Sequence, residues 1–271
     1  MSHVDRAGLL ARLTGGYRPK PGRPAGPVDR PVGRYGPQRQ QRGQWWLPAG
    51  RSDLPLVVLV HGGYWRRGFD HHLQDAVAAA LVDRGFAVWN IDYRSSAQPW
   101  PATLSDAAAA LDHVASCPRV DLSRVAVVGH SAGGQLALWL ASRDRLPADV
   151  VGATPVVRPV LVVAQAPVAD LVAGALERLG RGAVQALLGG DPDQVPERYA
   201  IASPLALLPL SGGRVVLVHG DADNTVPLRQ SQGYAEASGA ELHVLPGLGH
   251  FEHLDPASPA LTPVVAALAR L

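Results

Sequence analysis

With a single cysteine, Cys117, the chain can form no internal disulfide. That residue stands in Ser116-Cys117-Pro118, at the expected end of a helix, and reads as an inert thiol. Long apolar runs are missing too: the longest, Leu54–Val60, is far too short to span a bilayer. Neither sign of charge is in excess. The formal net charge is +2, so bulk electrostatics predicts no nucleic-acid and no membrane partner. Residues 1–14 carry Asp5, Arg6 and Arg12 and lack the apolar core of a signal peptide, which makes a cytoplasmic location the default expectation. Zinc-ligand spacing such as H-E-x-x-H is absent, so His3, His71, His72, His113 and His243 are expected at the surface or in the core and no metal site is expected.

What is present suits one large domain: 271 residues, 47% hydrophobic and 18% charged. Residues 17–42 are rich in Pro, Gly and Arg, and residues 1–43 are expected to form an arm lying over the folded body. A nucleic-acid tail is the rival reading of the arm, but it lacks a stacking pattern beyond Tyr17 and Tyr35. From residue 44 to 271, strand and helix signals alternate. Strands are expected at 44–47, 56–60, 87–91, 125–128, 160–164, 215–219 and 241–245, and helices at 70–84, 101–116, 132–142 and 259–271. Continuous apolar runs such as Leu56-Val57-Val58-Leu59-Val60 are what strands covered on both faces require. The pattern predicts an α/β fold with a mostly parallel, doubly wound sheet, helices on both faces and a small helical insertion at about 170–204. Chemistry in such sheets sits at the carboxyl ends of the strands.

Four of those ends carry candidate site residues. After the strand at 125–128 comes Gly129-His130-Ser131-Ala132-Gly133-Gly134, the G-x-S-x-G of a strand turning sharply into a helix. Such a turn holds Ser131 at its tip as nucleophile, over the positive end of the following helix. His130, on a tight elbow, is expected beneath the turn. After the strand at 56–60 comes His61-Gly62-Gly63-Tyr64-Trp65. Acyl transfer needs backbone N–H groups aimed at the oxyanion, and the loop Gly62, Gly63, Tyr64 is expected to supply them, Gly63 and Tyr64 as donors joined by Ala132. His61 would brace that loop. Trp65 is a candidate wall of the acyl pocket; a large aromatic also suits the core.

The strand at 215–219 leads into Gly220-Asp221-Ala222-Asp223-Asn224-Thr225-Val226-Pro227, and the last strand into Pro246-Gly247-Leu248-Gly249-His250-Phe251. The chain order Ser, Asp, His is the one expected of an α/β hydrolase. Asp223, deeper in its loop, is favoured as the acid over Asp221, which would brace, and over the distant Asp170. His250, after a glycine turn, is favoured as the base over His253.

Together these motifs, with Ala166-Pro167-Val168-Ala169-Asp170-Leu171, residues 199–204 and Gly249-His250, resemble the kynurenine formamidase (arylformamidase) branch of the α/β hydrolases, near the hormone-sensitive-lipase-like esterases. The similarity covers residues 45–271. His-Gly-Gly-x-Trp is its most specific element, because lipase-like esterases usually carry a third glycine where Tyr64 stands. The resemblance implies hydrolysis of an N-formyl aryl amide, N-formylkynurenine in that family, by the triad already reasoned out. Relatives with the same element include plain carboxylesterases. The expectation is a serine hydrolase acting on a small-molecule ester or amide without a cofactor, with a homodimer as the one assembly considered. The rival from another class is a non-catalytic binding protein on the same fold, which would usually lack triad members.

Overall fold

The computed structural model describes Tyr17 and residues 20–271. His3 and the reading of residues 1–14 lie outside the described residues. The apolar runs form strands as their composition requires: β1 (Val28–Asp29), β2 (Val32–Arg34), β3 (Arg42–Pro48), β4 (Leu54–Val60), β5 (Ala87–Ile91), β6 (Val120–His130), β7 (Leu161–Gln165), β8 (Arg214–Gly220) and β9 (Glu241–Leu245). Their order in the sheet is β1-β3-β5-β4-β6-β7-β8-β9, with β2 also on β3. From β5 through β9 every pairing is parallel, while β1, β2 and β5 run antiparallel to β3.

Alternation along the central strands sends side chains into two cores. Leu56, Val58 and Val60 of β4 face one, with Val125 and Val127 of β6; Val57, Leu59, Ala126 and Val128 face the other. Burying each such Val or Leu stabilises the fold by about 1.5–3 kcal/mol. Helix α1 (Asp75–Val82) covers the second face, and α2 (Ala102–Asp112) and α3 (Ala132–Ala141) the first. Three short helices, α4 (Leu171–Leu176), α5 (Leu179–Leu188) and α6 (Pro196–Ala202), make the insertion between β7 and β8. Helix α7 (Arg229–Ser238) follows β8, and α8 (Leu261–Leu268) closes the chain against the second face. No helix of the described residues is long and apolar enough to cross a membrane.

Two expectations change. The expected helix at 70–84 begins as a 3-10 turn, His71–Gln74, whose cap is the Asp70 carboxylate on the His72 N–H. The expected arm enters the sheet, because β1 and β2 within it pair with β3. Prolines masked them in the sequence, and an edge strand tolerates proline where a central one does not.

Candidate active site

The chemistry-bearing loops leave the carboxyl ends of β4, β6, β8 and β9 on one side of the sheet. Strand β6 ends at His130, α3 starts at Ala132, and Ser131 between them is held at φ 58°, ψ −119°. A non-glycine residue is strained there, and the surrounding packing must hold it. The packing shows why glycine flanks it. A Cβ on Gly129 would lie 2.0 Å from the Gly133 carbonyl oxygen, and one on Gly133 would lie 2.0 Å from that of Val60. The Ser131 N–H donates to the Gln165 carbonyl of β7 at 2.8 Å, fixing the elbow to its neighbour strand.

In the loop after β8, the buried Asp223 carboxylate has every oxygen engaged. Oδ1 accepts from the backbone N–H groups of Thr225 (2.7 Å) and Val226 (2.9 Å). Oδ2 accepts from His250 Nδ1 at 2.6 Å, and His219 Nε2 stands 3.3 Å away. Burial alone would push this carboxyl up; hydrogen bonds from His219 and His250 outweigh it and hold Asp223 well below the usual carboxylate range. An ionised Asp223 fixes the His250 tautomer, with Nδ1 protonated and Nε2 left to accept. Asp221 does different work. It accepts from the Gly247 N–H at 2.6 Å and so ties the loop after β8 to the loop that presents His250.

His130 lies under His250, its ring 4.6 Å away and its Nε2–H on the His250 carbonyl at 2.8 Å. Burial, then the charges of His250 and His253, keep His130 well below the usual histidine range. His253 is buried, and among the described residues neither of its ring nitrogens has a partner. His61 stacks on Tyr93 at 4.2 Å, its carbonyl accepts the Tyr93 hydroxyl, and burial lowers its pKa to about 4.

The loop after β4 turns through left-handed backbone at Gly63 (φ 112°), Tyr64 (φ 51°) and Trp65 (φ 54°). Among the described residues, no hydrogen bond occupies the N–H of Gly63, Tyr64 or Ala132. The Tyr64 hydroxyl donates to the Thr225 carbonyl at 2.7 Å, joining this loop to the one that holds Asp223. Burial, then the charge of Asp223, pushes the Tyr64 phenol up to about 12, so it remains a donor.

A cavity of about 460 Å³ opens here, and Gly62, Gly63, Tyr64, Ser131 and His250 share its lining. Trp65 does not line it, which corrects the expectation of an acyl wall. The indole is 1% exposed in the core, and its Nε1–H donates to Gln135 of α3 at 3.0 Å. The left-handed turn gives the cavity to Tyr64 and the core to Trp65. Residues that sequence reasoning missed complete the wall: Arg66, Phe69, Leu73, Gly180, Arg181, Thr225, Phe251 and Leu254. Phe251 follows His250 directly, which was a usable signal. Gly180 and Arg181 come from the insertion, where no motif marked them. The arm also reaches this region, because Tyr17 stacks on Phe251 at 5.7 Å and Lys20 pairs with Asp255.

Among the described residues, His71, His72 and Asp75 gather potential ligand atoms within 4.8 Å of one another. His71 Nδ1 is hydrogen-bonded to Asp92 and His72 Nδ1 to Asp75, so these side chains already serve one another and the start of α1.

A profile of the BD-FAE family matches residues 45–237. The chain belongs to the BD-FAE family. Its sheet order, elbow and helices are those of an α/β hydrolase. Among curated relatives, the chain is 39% identical over 106 residues to the carboxylesterase NlhH of Mycobacterium tuberculosis, covering 37% of this chain and 33% of that protein. It is 30% identical over 118 residues to the kynurenine formamidase of Drosophila melanogaster, covering 42% of this chain and 38% of that one. The chain thus spans about a third of the length of the first relative and 38% of the second. The crystal structure of esterase B from Lactobacillus Rhamnosis superposes with a TM-score of 0.77 at 23% identity, over 97% of this chain and 90% of that one. At that identity the likeness speaks for the fold.

Proposed function

We infer that this BD-FAE member is a serine hydrolase of small acyl esters and aryl formamides, working through an acyl-enzyme. One observation carries the reading. Ser131 is held strained on its elbow in the same cavity as His250, whose Nδ1 is fixed 2.6 Å from a buried, ionised Asp223. His250 Nε2 takes the Ser131 proton as Oγ attacks the carbonyl carbon. The N–H groups of Gly63, Tyr64 and Ala132 receive the oxyanion, with Gly62 shaping their loop. His250 then gives its proton to the departing alcohol or amine. A water that His250 deprotonates cleaves the acyl-enzyme and restores Ser131. Trp65 lies outside the cavity, and Tyr64 is the bulky residue of the oxyanion loop that lines it.

The carboxylesterase relative favours an ester substrate. The formamidase relative and the His61-Gly62-Gly63-Tyr64-Trp65 element favour the finer reading of an aryl formamide. A substrate panel tests both: p-nitrophenyl acetate through octanoate, and N-formylkynurenine. We expect kcat/KM to fall steeply from acetyl to octanoyl, with measurable turnover of the formamide. An octanoyl ester outrunning the acetyl ester, with the formamide inert, removes the small-acyl reading. An unreactive Ser131 toward a fluorophosphonate, with no turnover of any member, removes the hydrolase itself.

A further inference from the structure

The cavity lining is unbalanced in charge. Two arginines, Arg66 and Arg181, are among its lining residues, and no Asp or Glu is. The Asp223 carboxylate beneath is already committed to His250 and to backbone N–H groups. Among the described residues, neither arginine is in an ion pair, whereas Arg229 of α7 pairs with Glu177 of the insertion. Arg66 is half-buried and is spent on structure: its Nη2 donates to the Gly180 carbonyl, and its guanidinium stands 5.9 Å from the Tyr64 ring centre. Among the described residues, the Arg181 side chain has no hydrogen-bond acceptor, and Arg181 is exposed at the cavity.

The backbone that presents Arg181 is unusual. Arg178, Gly180, Arg181 and Gly182 all have left-handed φ, at 52°, 57°, 58° and 81°. Two of these are arginines, for which that conformation is uncommon and costs energy. That kink in α5 places Arg181 on the cavity lining. Strain spent on holding an unpaired cation beside a nucleophile suits recognition of an anion, for which a guanidinium offers a forked pair of N–H donors.

We propose that Arg181, with Arg66 behind it, forms an anion subsite, so that the substrate carries a carboxylate or an equivalent single anionic group. This rests on the hydrolase reading for the identity of the bound molecule as substrate. The binding test below does not need turnover. Ser131→Ala protein is titrated by calorimetry with two matched pairs. The first is 4-acetoxybenzoate and its neutral methyl ester, with the anion on the leaving group. The second is monophenyl adipate and phenyl hexanoate, with the anion on the acyl chain.

The expected result is tighter binding of the anion, by at least ~5-fold, in one pair, which also tells which end of the substrate meets Arg181. Arg181→Glu should abolish or invert that ratio, Arg181→Lys should keep most of it, and raising salt should erode it. Equal affinities within both pairs, or a ratio that Arg181→Glu leaves unmoved, overturns the subsite. The same pairs given to the protein with Ser131 intact separate the two readings. Turnover of neutral and anionic members with a kcat/KM ratio indifferent to residue 181 sinks the subsite and leaves the hydrolase standing. Anion-selective binding without any turnover keeps the subsite and sinks the hydrolase.

Discussion

Two walls of one cavity are made in contrasting ways. Ser131, Asp223 and His250 stand on loops leaving β6, β8 and β9, strands whose backbones are locked in parallel pairing. Gly180 and Arg181 stand in an insertion with no strand behind them, held by left-handed backbone and by contacts to Tyr64 and Arg66. The first wall is positioned by the sheet, with Asp223 and His250 hydrogen-bonded to each other and Ser131 on the same cavity. The second is positioned by side chains from the loop after β4. Changes to the first should therefore remove chemistry at nearly unaltered stability, and changes to the second should alter binding and selectivity while chemistry persists.

The sharpest way to break the contrast is at the elbow. Ser131→Ala should lower kcat at least ~10⁴-fold while the thermal unfolding midpoint stays within a few degrees. Steady-state kinetics beside circular dichroism would check it. A variant that keeps near-normal turnover means the strained serine is not the nucleophile.

The two acids of the loop after β8 give the next largest effect. Asp223→Asn should cost ~10³–10⁴-fold in kcat, because an amide cannot hold the His250 tautomer as the carboxylate does. Asp221→Asn keeps an oxygen acceptor for the Gly247 N–H and should cost less than ~10-fold. If Asp221→Asn proves the more damaging, the bond of His250 to Asp223 is not the working one.

Much of the first wall was legible because each of its residues follows an apolar strand within a few positions. Gly129-His130-Ser131 and Gly249-His250 are local signals, and a sheet brings strand ends together whatever lies between them. Choosing Asp223 over Asp221 needed only depth in the loop. The fate of Trp65 was not legible, since neighbours Tyr64 and Trp65 part company through two left-handed residues that composition does not announce. Strands β1 and β2 were hidden by proline, and Arg181 by the lack of any repeat or motif in residues 170–204. Such residues are placed by tertiary contacts, and sequence spacing carries no record of those.

Acid should distinguish the walls as well. Burial lowers the pKa of His253 to about 3 and that of His61 to about 4, against ~6.5 for an unfolded histidine. Below pH 6.5 the unfolded chain binds a proton at these positions that the folded chain refuses, so acid favours unfolding. The stability is fully present above that pH and is lost as pH falls toward the folded values. For His253 alone the loss reaches ~2 kcal/mol at pH 5. Urea unfolding of His253→Leu should show a fall between pH 7 and pH 5 that is shallower by about that amount. Parallel pH curves for the two proteins would mean His253 is hydrated or paired in solution.

The smallest effect, on the insertion, is the one that tests how the second wall is held. Gly180 has φ 57°, and a Cβ built on it would lie 2.7 Å from the Tyr64 ring. Gly180→Ala therefore meets two penalties at once. A left-handed alanine costs ~1–2 kcal/mol, and the ring of Tyr64 must shift by some tenths of an ångström. Tyr64 cannot shift freely, because its hydroxyl is bonded to the Thr225 carbonyl in the loop that holds Asp223. The segment of the insertion is the softer partner, since no strand ladder fixes it, and so it should give way. Global stability should then fall by only ~1 kcal/mol, because the local segment can relax without opening the sheet. The Arg181 guanidinium moves with it, so KM should rise several-fold for an anionic ester, with kcat changed by less than ~3-fold. A drop in kcat at constant KM would show the opposite yielding, with Tyr64 displaced and its N–H drawn away from the oxyanion, and would make the two walls one mechanical unit.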